Sequence, residues 1–493
     1  MSQSVKDQRI QNVISLFTAG QIKECLKATS KLTEEYPNEP FLYNLLGVVN
    51  ATEHRFEEAI TFYNKAIELA PQYVEVLNNM GVAYNDWKKP DLAIKILQQA
   101  IELNPNYAEA YNNRGNARRA LSDLNSAIKD YQKAIEINPS YLDALSNLGI
   151  ALSENRNYID AQSIYQRALS LDPGNNELNL LYANTLLRLE RYLEAEKIFK
   201  NLIQLNPDNA RANNGLGLIY LKKKEINLAK NSFKTAIKIK GDYIEALNNY
   251  GLILQSEKDF EEAVKIFNIV LRIDRNFIKS YNNLGKAYFD KGEITKAQNI
   301  FEQGLKIKKN YKPILRNLVD LFILKGELLK AKNIIKSILK LEPRSPDELS
   351  ALGSVYEKMG NLNLAKKYID DSLAIDPKLI SGRLNLATII HQQGYYDSAQ
   401  QIYKKIISEN IDYPDAIHNL SNILIMMGKF TEGWVKFETR WKVFPLNKVV
   451  WPFDRDKMWE GKEGGELVLW REQGIGDDIP VSYTHLRAHE TLL

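Results

Sequence analysis

The chain has 493 residues, of which 44% are hydrophobic and 26% charged, the proportions of a folded protein with a continuous core. Lysine and arginine outnumber aspartate and glutamate by 65 to 61, and this small excess does not indicate a nucleic-acid-binding surface. No apolar run reaches the roughly 18 residues of a membrane span, and no secretion signal opens the chain. The one cysteine, Cys25, cannot form an internal disulfide, so we expect a cytoplasmic location.

A small residue recurs every 34 positions along most of the chain. A second small residue, usually alanine, follows each one after 12 positions, and a bulky residue such as Tyr63 follows after 16. Helices packed with their axes about 8–10 Å apart need small side chains at the contact, so the pattern predicts antiparallel helix pairs that cross there. Prolines such as Pro71 and Pro105 end many units. The recurring small residues are Gly47, Gly81, Gly115, Gly149, Ala183, Gly217, Gly251, Gly285, Val319, Gly353, Ala387 and Ser421.

This pattern resembles the tetratricopeptide repeat (TPR). Counted from the small residues, thirteen units run from residue 6 to residue 447, the first built on Val13, Cys25 and Pro37. The resemblance implies an all-α fold over residues 1–447, a superhelical solenoid of helix-turn-helix repeats in which each repeat contacts its neighbours. Cys25 takes a small-residue position, and we expect it to be buried rather than reactive.

An asparagine stands two positions before the small residue in eight repeats. Stacking of the repeats would place these amides in a ladder along one groove, where they can donate to and accept from the backbone of an extended peptide. Alternatively, the asparagines are merely tolerated on an exposed helix face, although asparagine lowers helix propensity by about 0.7 kcal/mol relative to alanine. The ladder is similar to that of O-linked N-acetylglucosamine transferases, which implies a protein or peptide partner. Its members are Asn79, Asn113, Asn147, Asn249, Asn283, Asn317, Asn385 and Asn419.

Residues 448–479 differ in composition from the repeats. Residues 466–470 predict a short buried strand, and Gly474 and Gly476 a turn toward a helix, the truncated start of a Rossmann-type α/β domain. The segment resembles the junction of bacterial proteins in which a TPR array leads into a heptosyltransferase-like glycosyltransferase domain. In those enzymes an aspartate at the position of Asp477 deprotonates the acceptor hydroxyl; alternatively, Asp477 caps a helix.

The resemblance implies a nucleotide-sugar donor in a complete parent protein and no cofactor in this chain. Residues 480–493 include VSYTHLRAHET, which resembles a translated sequencing adapter, so we expect no native fold there and exclude His485 and His489 as metal ligands. No metal site is predicted elsewhere. Three functions are considered: a protein-binding array that recruits substrates for a glycosyltransferase, a free-standing scaffold or assembly factor without activity, and an RNA-binding repeat, which the charge balance disfavours.

Overall fold

The computed structural model describes residues 3–410 and 413–437, with side chains from Lys6 onward. These residues contain 26 α-helices and no strand. The predicted strand at 466–470, the turn with Gly474 and Gly476, and Asp477 lie outside the described residues. The chain divides into two compact units between Ser280 and Tyr281, within α17 (Ile278–Asp290).

The first unit is a stack of helix pairs. In repeats 2 to 12, helix A has 13 residues and helix B has 14. The helices are α1 (Gln3–Thr18), α2 (Ile22–Glu35), α3 (Pro40–Thr52), α4 (Phe56–Leu69), α5 (Val74–Asp86), α6 (Pro90–Leu103), α7 (Ala108–Ala120), α8 (Leu124–Ile137), α9 (Leu142–Glu154), α10 (Tyr158–Leu171), α11 (Asn176–Arg188), α12 (Tyr192–Leu205), α13 (Ala210–Lys222), α14 (Ile226–Ile239), α15 (Ile244–Ser256) and α16 (Phe260–Ile273).

The second unit continues the same alternation of A and B helices. Its last described helix, α26, has eight residues. After α17, the helices are α18 (Ile294–Ile307), α19 (Lys312–Leu324), α20 (Leu328–Leu341), α21 (Pro346–Lys358), α22 (Leu362–Ile375), α23 (Ile380–Gln392), α24 (Tyr396–Glu409), α25 (Pro414–Met426) and α26 (Phe430–Phe437).

The predicted crossing of the two helices is confirmed inside the repeats. A Cβ atom added to Gly47 would lie 2.4 Å from the Tyr63 ring, and one added to Gly115 would lie 2.6 Å from the Tyr131 ring. The bulky residue therefore occupies the space that the small residue leaves open. Because both tyrosines are fully buried, this contact forms the core of its repeat.

The turn from helix A to helix B requires one residue with positive φ. In the second unit a glycine supplies it, as at Gly326 (φ +72°), whereas seven successive turns of the first unit hold a side chain in this left-handed region, as at Ser122 (φ +63°). The backbone closes each turn alike; the Lys89 N–H, for example, donates to the Tyr84 carbonyl at 2.9 Å. The repeat geometry therefore overrides the preference of the individual residue.

Candidate functional site

The asparagine ladder lies on the A helices, with every member half-buried. Seven of its members donate a hydrogen bond from Nδ2 to the preceding repeat, in most cases to the residue 35 positions earlier. The oxygen of the eighth, Asn283, accepts from Asn282 at 3.2 Å. In the first unit the bonds are Asn79 to Asn44 (3.2 Å), Asn113 to Asn78 (2.8 Å), Asn147 to Asn112 (3.0 Å) and Asn249 to Asn214 (3.1 Å). In the second they are Asn317 to Asn282 (2.9 Å), Asn385 to Ser350 (3.0 Å) and Asn419 to Thr388 (3.4 Å).

The ladder thus joins neighbouring repeats, a role that the sequence analysis missed. The signal was present, because an acceptor asparagine directly precedes the ladder residue at Asn78, Asn112 and Asn282. A carboxamide has two N–H groups and one oxygen with two lone pairs. The bond to the preceding repeat uses one N–H, so each half-buried amide keeps further hydrogen-bonding capacity.

A groove of about 720 Å³ lies between the A helices of repeats 3 to 5 (residues 74–175). Asn147 is the ladder residue in its lining. The Asn116 oxygen accepts from the Tyr131 hydroxyl at 2.8 Å, whereas the Asn85 Oδ1 is buried and accepts no hydrogen bond from the described residues. The groove is lined by Asn85, Asn116, Arg119, Ala120, Ser122, Leu124, Asn147 and Glu154. Most of these side chains are polar, so the groove is suited to a polar or charged chain.

Carboxylates stand at the N-terminal ends of the helices that form this groove. Glu75, Glu109 and Asp143 occupy the first turns of α5, α7 and α9, and all three are exposed. Each precedes a ladder asparagine by four residues, which places both on one helix face. Burial, and then the nearby Glu109 and Glu75, raises the pKa of Tyr107 to about 12. The carboxylates of neighbouring repeats therefore lie close enough to act on the same phenol.

Burial also raises the pKa of Tyr141 to about 12, and Glu109 and Asp143 add to the shift. Glu109 thus acts on tyrosines of two successive repeats. At the opposite ends of the A helices, Asp86 and Glu154 are the last residues of α5 and α9. These carboxylates mark the second edge of the same face.

Cys25 is fully buried, as predicted, and burial raises the pKa of its thiol. Its Sγ–H donates to the Val13 carbonyl at 3.4 Å, so the thiol is held inside the first repeat. In the described part of the chain, no three histidine, cysteine or acidic side chains group as metal ligands. Over the same residues, no helix combines the length and apolarity needed to cross a bilayer.

Comparison with known families supports the repeat assignment directly. Profiles described as tetratricopeptide repeat match the ranges 54–86, 74–107, 108–141, 130–163, 152–211, 186–248, 242–310 and 349–379. Together they cover more than half of the 493 residues.

A comparison with curated proteins gave no match. Among solved structures, the chain is similar to the crystal structure of the APC/C hetero-tetramer Cut9-Hcn1, with 14% identity over 85% of this chain and 96% of that chain, at a TM-score of 0.47. The 34-residue spacing, the helix pairs and the family matches agree. The chain belongs to the tetratricopeptide repeat family.

Proposed function

We propose that this protein is a scaffold that binds an extended segment of a partner protein along the A-helix face. The tetratricopeptide repeat is a protein-interaction fold, and the ladder supplies the observation that carries the proposal. Its amides recur at the same position in eight repeats and keep hydrogen-bonding capacity beyond the bonds between repeats. Because an amide matches both N–H and C=O groups, such a row can bind a peptide backbone of varied sequence.

The spacing of the repeats suits an extended chain. Packed helices lie about 8–10 Å apart, and an extended peptide advances about 3.3 Å per residue. Roughly three peptide residues therefore pass each repeat, and the backbone can meet successive amides without changing its direction.

A blocking variant tests the groove without breaking the bonds between repeats. Ala120 is exposed and lines the groove, so Ala120→Trp fills the space while the ladder stays intact. The matched control is Gln99→Trp, an exposed neutral position on helix B of repeat 3. Random peptides displayed on phage are selected on the complete chain, and the affinities of the selected peptides are measured by fluorescence anisotropy.

We expect Ala120→Trp to weaken the selected peptides at least about tenfold and Gln99→Trp to leave them unchanged. Equal affinity for wild type and Ala120→Trp contradicts the proposal, and so does the absence of any enriched peptide. Replacing several ladder asparagines by alanine is a weaker test. That change also leaves acceptors such as Asn78 and Asn112 without their donors.

The finer proposal is that the array recruits substrates for a glycosyltransferase. It is supported by the resemblance of residues 448–479 alone, with Asp477 as the base that deprotonates the acceptor and a nucleotide sugar as donor. If the reading frame continues beyond Ile479, the longer protein is expected to transfer sugar to a bound peptide, and Asp477→Asn is expected to abolish transfer while sparing peptide binding. Peptide binding without transfer by the longer protein favours the free-standing scaffold.

A further inference from the structure

We infer that the A-helix face of repeats 3 to 5, which carries the asparagine ladder, selects a basic segment, with lysine or arginine at about every third residue. This inference rests on the proposed peptide binding and names the chemistry of the peptide. Charge on the helices that form the groove is its starting point. The A helices α5, α7 and α9 carry five carboxylates: Glu75, Asp86, Glu109, Asp143 and Glu154.

The basic residues of these helices are already occupied by carboxylates. Arg114 and Arg118 both pair with Asp130 on helix B, the latter at 2.8 Å, so their charges are directed away from the groove. Arg119 is the cation in the groove lining, and its Nη1 lies 3.6 Å from Glu154. Among the described residues, no lysine or arginine forms an ion pair with Glu75, Asp86, Glu109 or Asp143. This face is acidic although the whole chain has a net charge of +4.

The helix dipole explains only part of this charge. A carboxylate in the first turn of a helix is favourable, so Glu75, Glu109 and Asp143 alone would not indicate a ligand. Asp86 and Glu154, however, end their helices, where a negative charge is unfavourable.

The positions of the carboxylates set the spacing of the expected cations. Each repeat has one first-turn carboxylate, so successive carboxylates are separated by about the distance between packed helices, roughly 8–10 Å. About three residues of an extended or polyproline II chain span that distance. The pattern ends at repeat 7, where the equivalent residue is Arg211, which pairs with Glu177 of repeat 6 at 2.7 Å. The acidic stretch therefore accommodates a segment of about nine to twelve residues.

Three labelled peptides of equal length test the inference on the complete chain. They consist of four triplets of Arg-Ser-Thr, of Gln-Ser-Thr or of Glu-Ser-Thr. The neutralised variant combines Glu75→Gln, Glu109→Gln and Asp143→Asn. Its control combines Glu58→Gln, Asp91→Asn and Asp160→Asn, which are exposed first-turn carboxylates of the B helices α4, α6 and α10. Both variants remove the same charge from the same kind of helix position.

We expect wild type to bind the arginine peptide at least about tenfold more tightly than the glutamine peptide, and the ratio to fall as salt screens the charges. The ratio is expected to approach one in the neutralised variant and to stay high in the control. Equal affinity of wild type for the two peptides overturns the inference but leaves the proposed function in place. An equal loss in the control also overturns it, and binding of none of the three peptides contradicts both proposals.

Discussion

Repeats 4 (residues 108–141) and 10 (residues 312–345) each form a pair of helices of the same lengths, but different types of residue fill the two cores. Repeat 4 places Gly115 against Tyr131, whereas repeat 10 places Val319 and Ile335 at the equivalent positions, and all of these except the glycine are large enough to fill the core. A tiny residue with an aromatic one therefore fills the crossing about as well as two residues of intermediate size. The helix lengths, 13 and 14 residues, are identical in the two repeats.

The residues beside the crossing differ even more. Repeat 4 buries Arg114 against Asp130, whose carboxylate accepts from Arg114 Nε at 2.9 Å. Repeat 10 has Leu318 and Ile334 at the same two positions. A fully paired pair of buried charges can therefore occupy these interior positions about as well as two aliphatic side chains. The helix pair of a repeat therefore depends on the total volume of its core side chains and on the pairing of its buried polar groups, rather than on the identity of each residue.

The largest expected effect comes from breaking the ion pair of repeat 4. Asp130→Ala leaves the Arg114 side chain, which is only 9% exposed, without its carboxylate, and we expect about 3–5 kcal/mol of local destabilisation. Hydrogen exchange across residues 108–141 measures it. The control combines Arg114→Leu with Asp130→Ile, the pair found in repeat 10, and is expected to cost far less. A double variant as unstable as Asp130→Ala would refute the equivalence of the two cores.

The crossing provides the next test. Gly115→Val forces a side chain into the Tyr131 ring, and overpacking of this kind costs about 1–3 kcal/mol. Adding Tyr131→Ile recreates the crossing of repeat 10 and is expected to recover part of that loss. Exchange rates of the α8 amides report both changes. If Tyr131→Ile only adds to the loss, volume compensation does not operate here.

Without any substitution, repeat 10 is expected to open before repeat 4. Glu327 gives α20 no side-chain cap, whereas Asp123 accepts from the Ser126 N–H at the start of α8. We expect the α20 amides to exchange about fivefold faster than those of α8. Equal exchange in the two helices would show that the substitutions in repeat 10 have no energetic consequence.

The turn between the two helices offers a smaller, stabilising change. Ser122 holds φ at +63° where repeat 10 has Gly326 at +72°. Ser122→Gly removes the left-handed strain of about 1–2 kcal/mol but adds backbone entropy of about 0.5–1 kcal/mol to the unfolded chain, so we expect a net gain of up to about 1 kcal/mol. Gly326→Ser is expected to change stability in the opposite direction. Urea denaturation followed by hydrogen exchange compares the two variants.

The smallest effect concerns pH. Hydrogen bonds from Ser126 hold the pKa of Asp123 below its ordinary value, and Lys325 and Lys330 do the same for Glu327. A carboxylate whose pKa is lowered in the folded state stabilises the fold at pH values above its ordinary pKa, which is 3.8 for Asp123 and 4.5 for Glu327. This contribution to stability is lost as the pH falls through the lowered pKa. Both turns are therefore expected to loosen in acid. Salt near about 1 M is expected to weaken the Glu327 contribution more than that of Asp123, because the main partners of Glu327 are the charged Lys325 and Lys330, whereas the main partner of Asp123 is the neutral Ser126.

The repeat register, the paired helices and the residues at their crossing all follow from the sequence alone. A fixed spacing of small and bulky residues has one compact solution within a repeat, as Gly47 with Tyr63 and Gly115 with Tyr131 show. Cys25 was placed correctly in the core for the same reason. These contacts join residues whose separation is set by a helix, a short turn and a second helix, so the chain alone fixes their distance.

The contacts between repeats, in contrast, could be identified only in the folded structure. That Asn113 donates to Asn78 and that Arg211 pairs with Glu177 depend on how one repeat is rotated against the next. The periodicity of the sequence is unchanged by that rotation and therefore does not reveal it. The ladder residues were visible in the sequence, whereas their bonds to the preceding repeat, and the acidic face beside them, became visible only once the helices were stacked.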